Sequence, residues 1–120
     1  MNVAITTSGK DLCAALDPRF GRAPGFLIVD TETGETTYEP NDQNLNAAQG
    51  AGIQAAQNVA TTGAKAVVTG HCGPKAFRIL SASNIAVYNT EAATAQEAID
   101  LFKSGKLSRA DSADVEGHWA

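Results

Sequence analysis

"AVVTGHCGPKAFRILSASNIAVYN", residues 66–89, decides how this chain folds. Its first four residues are short, apolar and partly β-branched, the pattern of a buried strand. Pro74 suits the first position of a helix, where its missing N–H would go unpaired in any case. Phe77 and Leu80 give that helix an apolar face, and "IAVYN" at 85–89 returns to strand. Strand, helix and strand in this order make two parallel neighbours joined by a right-handed crossover.

Working outward, "VAIT" at 3–6 opens the chain as a β-branched strand. "FLIVD" and "ETTYE" flank "TETG" at 31–34, a hairpin in which Gly34 takes the positive-φ position. The second hairpin strand is polar and charged, as befits an exposed edge. From "NAAQGAGIQAAQNVATTG" onward the pattern alternates helix and strand. Ile53, Ala56 and Ala60 recur at helical spacing there, and Gly63 stops the helix. Thr94 and Glu97 have capping-box spacing, and Ala95, Ala98, Ile99 and Phe102 form one stripe that Gly105 ends.

Three strands joined without helices, followed by strands reached through helical crossovers, predict an α/β domain with a mixed five-stranded sheet, order 3-2-1-4-5, and three helices. This is the strand order of a ribonuclease H-like fold. Residues 1–105 make up the single domain, and 106–120, including His118 and Trp119, are expected as a flexible or surface-lying tail. In the predicted order, strands 1 and 4 are parallel neighbours that the chain leaves in opposite directions. Their C-terminal ends form a topological switch point, the usual ligand crevice of open α/β sheets. Two loops meet there: the long segment "SGKDLCAALDPRFGRAPG" at 8–25 and "GHCGP" at 70–74.

The chain has 120 residues, 43% hydrophobic and 18% charged, with a net charge of −4. That size bounds it to one domain. The negative balance excludes a broad basic face for nucleic acid. No run approaches the roughly 20 apolar residues of a spanning helix, and no secretory signal precedes the first strand, so a cytoplasmic protein without membrane attachment is expected. Cys13 and Cys72 form no CxxC, and a disulfide between them is not expected in a reducing compartment.

Three chemistries compete for the crevice. Cys72 and Arg78 spell HCxxxxxR from His71, the signature of a cysteine-dependent phosphatase, with Asp17 available as general acid. Against it, that loop must be small and glycine-rich, whereas "GPKAF" begins a helix. A two-metal nuclease needs carboxylates on its central strands, and "NVAITT" and "AVVTG" have none. The third chemistry is binding: the helix N-terminus at Pro74 offers unpaired N–H groups, and Lys10, Arg19, Arg22 and Lys75 add positive charge, which together suit an anion. His71 and Cys72, with Cys13 as a weaker third, supply a neutral nitrogen and soft sulfur suited to iron, copper or a metal-sulfide cluster. An anionic metal-sulfur cluster meets both demands. An interaction module with a vestigial crevice is a further alternative.

"LDPRFGRAPGFLIVD", the asparagine-containing stretch before "GAGIQAAQ", and "AVVTGHCGPKAFRIL" followed by "NIAVYN" resemble the nitrogenase iron-molybdenum cofactor biosynthesis family. The resemblance extends to about residue 104. It implies a ribonuclease H-like fold without nuclease carboxylates and a non-enzymatic carrier. The implied cargo is a cluster of molybdenum with iron or copper, passed between donor and acceptor proteins. It places Arg19, Phe20, Gly21 and Arg22 in the first family loop and Gly70, Gly73 and Pro74 in the second. The liganding role of His71 and Cys72 comes from their chemistry alone.

Overall fold

The computed structural model describes residues 1–42 and 50–111. The asparagine-containing stretch 43–49 and the tail end with His118 and Trp119 lie outside the described residues. Along the chain run β1 (Asn2–Thr7), β2 (Gly25–Asp30), β3 (Thr36–Pro40), α1 (Ala51–Ala60), β4 (Ala66–Thr69), α2 (Pro74–Ala82), β5 (Ala86–Asn89) and α3 (Ala95–Lys103). The sheet order is β3-β2-β1-β4-β5, as the sequence predicts. β1 to β3 pair antiparallel, and β1, β4 and β5 run parallel.

Strand alternation sorts the core into two layers, because successive side chains leave opposite faces of the sheet. Ala4, Phe26, Ile28, Val67 and Val87 face α1 and α2, where they meet Ala55, Ala56, Val59, Ala76 and Leu80. Val3, Ile5, Leu27, Val29 and Val68 face α3, against Ala95, Ala98 and Ile99. Among the described residues no helix is long and apolar enough to cross a membrane.

The punctuation falls where the residue types demand it. Gly34, Gly63 and Gly105 have φ of 79°, 80° and 71°, the left-handed region that side chains disfavour. Pro74 opens α2, and the Thr94 hydroxyl accepts from Glu97 N–H at 3.2 Å to cap α3.

One expectation is corrected. The buried face of α1 is Gly52, Ala55, Ala56 and Val59; Ile53 is half-buried and Ala60 exposed, so the expected stripe is rotated. In so alanine-rich a helix the apolar contrast is weak, and closeness of approach to the sheet, rather than side-chain size, selects the face. The first residues of the tail lie docked on the surface of the domain. Ala110 N–H donates to Val87 O at 2.8 Å, Arg109 bridges Tyr88, and Leu107 packs on the α3 layer.

Candidate functional site

The segment between β1 and β2 wraps the end of the sheet at the carboxyl ends of β1 and β4. Leu16 packs in the α3 layer and Phe20 in the opposite one. On the α3 side the loop is sewn to the start of α3, with Ala95 N–H donating to Ala14 O and Gln96 N–H to Leu12 O. At the sheet end Asp17 N–H donates to Thr6 O at 2.8 Å, and the Thr6 hydroxyl donates to Asp17 O at 2.6 Å. Thr6 and Thr69, at the tips of β1 and β4, bring their hydroxyls to 2.9 Å. Both are fully buried.

Beyond Asp17 the loop lies directly against the strand-to-helix turn after β4. His71 N–H donates to Pro18 O at 2.6 Å and Phe20 N–H donates to His71 O at 3.1 Å, so Arg19 and His71 pair as a short parallel bridge. Gly70 makes this approach possible. A Cβ there would lie 2.7 Å from Pro18 Cα and 2.8 Å from Pro18 O, closer than real side chains come. On the other side of the turn, Asn89 Nδ2 donates to Gly70 O at 3.1 Å.

The sequence does not foresee the 3-10 turn at Phe20–Arg22, closed by Arg22 N–H donating to Arg19 O at 3.2 Å. Arg19, extended at φ −107° and ψ 108°, stands at the N-cap of this turn and Arg22 at its last position. Both are exposed. The Arg19 side chain is about half exposed at 49% and its Nε lies 3.7 Å from Asp17 Oδ1, a carboxylate that also accepts Arg19 N–H at 2.9 Å. Gly73, the N-cap of α2, and Pro74 follow immediately on the same turn.

An open cleft of about 360 Å³ sits beside this junction, lined by Gly70, His71, Asn89, Thr90 and Glu91. The last three residues are absent from the sequence-based site. They close and follow β5 at the end of the sheet where Gly70 follows β4, so the rule that ligands lie outside carboxyl strand ends is the signal that reaches them.

The expected site therefore gathers Arg19, Gly70, His71, Gly73 and Pro74, with Arg22 and buried Gly21 carried on the adjoining turn. Four other residues stand elsewhere. Phe20 is fully buried, its ring 5.8 Å from that of Phe26, so it anchors the loop from beneath. Cys72 is 1% exposed within the α1–α2 layer, its Sγ 3.7 Å from Gly73 O, and it takes no part in lining the cleft. Lys10 lies over the Tyr38 ring of β3, 5.7 Å from its centroid and across the sheet from the cleft at the β4 and β5 ends. Cys13 is exposed on the part of the loop sewn to α3. The turn between β4 and α2 thus separates His71 and Cys72, adjacent in sequence, to rim and core. Burial of the thiol also removes the nucleophile from the phosphatase pattern, whose Arg78 lies exposed on α2.

Among the described residues no three His, Cys, Asp or Glu side chains converge as a metal-ligand set. The junction instead carries two guanidinium groups, one imidazole and the first turn of a helix, beside an open cleft whose own lining includes His71 and the Glu91 carboxylate.

Comparison with known proteins agrees with this architecture. The chain superposes on the apo form of the orange protein from Desulfovibrio gigas with a TM-score of 0.89 and 39% identity, covering 95% of this chain and 96% of that one. A putative NifB protein from Thermotoga, solved by NMR, matches with a TM-score of 0.80 and 35% identity, covering 97% and 98% of the two chains. An uncharacterized protein of Methanocaldococcus jannaschii is 34% identical over 96 residues, which is 78% of this chain and 81% of that protein. Residues 1–105 match the family described as dinitrogenase iron-molybdenum cofactor. With the sheet order, the wrapped arginine loop and that match in agreement, the chain belongs to the dinitrogenase iron-molybdenum cofactor family.

Proposed function

We propose that this protein is a non-enzymatic carrier for an anionic metal-sulfur cluster, of molybdenum with iron or copper, held at the crevice where Arg19, Arg22, His71 and the start of α2 meet. The observation that carries the reading is the Arg19–His71 bridge, which joins a cationic loop to a nitrogen donor at the switch point of the sheet. A cluster brings its own sulfides, so it needs few protein ligands and gains from positive charge, while a bare cation would need the converging donor set that the described residues lack. Family membership, with its iron-molybdenum cofactor description, and the likeness to the apo form of the orange protein support a cofactor-related carrier role. Such a carrier works in the cytoplasm between a cluster donor and an acceptor protein.

In this reading the guanidinium groups and the α2 N–H groups neutralise the cluster's charge. The His71 imidazole is the direct ligand, and Gly70 and Gly73 keep the backbone close. Cys72 holds the turn from below.

The test is anaerobic incubation of metal-free protein with tetrathiomolybdate, alone and with copper(I) or iron(II), followed by gel filtration, elemental analysis and visible spectroscopy. Molybdenum should co-elute with the protein and show charge-transfer absorption. Charge reversal at Arg19 and Arg22 should abolish retention, and His71→Ala should change the spectrum. Absence of retained metal, or retention indifferent to the arginines, would overturn the proposal.

A further inference from the structure

Asn41 directly follows β3 and is buried although its side chain is a polar amide. Its Nδ2 donates to Gly21 O at 3.3 Å and to Ala23 O at 2.9 Å. Its Oδ1 accepts from Asn58 Nδ2 at 2.9 Å, and its backbone N–H donates to Pro24 O at 3.0 Å. Asn58 belongs to α1 and also donates to Asp42 O at 3.0 Å.

The two carbonyls gripped by Nδ2 stand on either side of Arg22. One buried amide therefore clamps the chain before and after this arginine, and α1 orients the amide. Burying an amide is costly unless its hydrogen bonds are made, so the position is sharply determined. Arg22 itself is exposed, and among the described residues no carboxylate pairs with it, whereas Arg19 has Asp17. A cation on a rigid backbone with no acidic partner is prepared for a charge from outside the chain, because little ordering remains to be done when the ligand arrives.

We propose that Asn41 is a positioning residue for cargo binding, fixing through the Gly21 and Ala23 carbonyls the turn that presents Arg22 beside Arg19. The inference rests on the anionic-cargo reading of the crevice. Asn41 acts through Arg22 and touches no cargo.

The test compares wild type, Asn41→Ala, Arg22→Ala and the double variant for binding of tetrathiomolybdate. Asn41→Ala should weaken binding about fivefold, as Arg22→Ala does, the scale of one partly exposed charge contact. The double variant should bind no worse than Arg22→Ala, since both changes remove one interaction. Asn58→Ala is the milder probe, with about a twofold loss that likewise vanishes in the Arg22→Ala background. Fully additive losses would overturn the proposal. A second readout needs no cargo: exchange of the Arg22 amide, bonded to Arg19 O, should quicken in Asn41→Ala while the β4 and α3 amides keep their protection. Unchanged exchange at Arg22 overturns the positioning role whatever the binding result. If wild type takes up no probe, the cargo reading fails, and the exchange result alone decides on Asn41.

Discussion

His71 donates its backbone N–H to the carbonyl of Pro18 at 2.6 Å, and this bond fastens the arginine loop to the turn that starts α2. It can form because nothing projects from Gly70. Gly70→Ala should therefore lower stability by about 2 kcal/mol, in the range of overpacking a tight site, since the atoms in the way are mainly backbone. Gly25→Ala should be milder, because its obstacle is the Tyr38 ring, which can swing away. Urea unfolding of both variants checks the order, and a Gly70→Ala midpoint equal to wild type would refute the close-approach argument.

Asp17 is the acidic partner of Arg19 at the proposed cargo site, with its Oδ1 3.7 Å from Arg19 Nε. Asp17→Asn keeps an oxygen for Arg19 N–H but removes the competing charge. Binding of tetrathiomolybdate should tighten by about two- to threefold, as for release of one weak exposed pair. Titration at low ionic strength measures it, and weaker binding by a folded variant would contradict the electrostatic account.

The two thiols should differ in reactivity. Cys13 is exposed and Cys72 buried, so a disulfide-exchange reagent should modify one cysteine in native protein and both after denaturation. Rapid modification of both in native protein would show that the α1–α2 layer opens at Cys72. Cys72→Ala should keep cargo binding while losing about 1 kcal/mol of stability from the vacated space.

Acid should loosen the hairpin. The Glu32 N–H, donating to Asp30 Oδ1 at 2.8 Å, lowers the Asp30 pKa below the usual carboxylate value. A lowered folded pKa means that the bond's contribution is present above the unfolded value and is lost as pH falls through the folded one. In Asp30→Asn the hairpin amide shifts should change less with pH below 4, the region of the ordinary value of 3.8. NMR titration reads this directly, and an unaltered profile in the variant would place the acid response elsewhere.

Much of the frame is legible in the sequence because single residues punctuate it. Gly34, Gly63 and Gly105 mark positive-φ stops, Pro74 and Thr94 mark helix starts, and one long loop and one hairpin followed by two crossovers leave little choice of strand order. The meeting of the 8–25 segment with "GHCGP" follows from that order. The site's finer grain does not. Nothing local tells that Cys72 turns inward while His71 stays at the rim, because the packing under α2 decides it. Asn41 reads as an ordinary turn residue; its importance lies in carbonyls 18 and 20 residues away. Lys10 fits any basic cluster in composition, but the sheet's breadth carries it to Tyr38.

The interlocked hydroxyls of Thr6 and Thr69 have a wider effect. Where a nuclease of this topology would aim acids outward from its middle strands, these strand tips are spent on joinery, holding each other and, through Thr6, the chain that passes over them. In the proposed reading, recognition is thereby delegated to removable fittings on a fixed chassis: exchanging the imidazole at position 71 should retune what is gripped without disturbing the framework beneath.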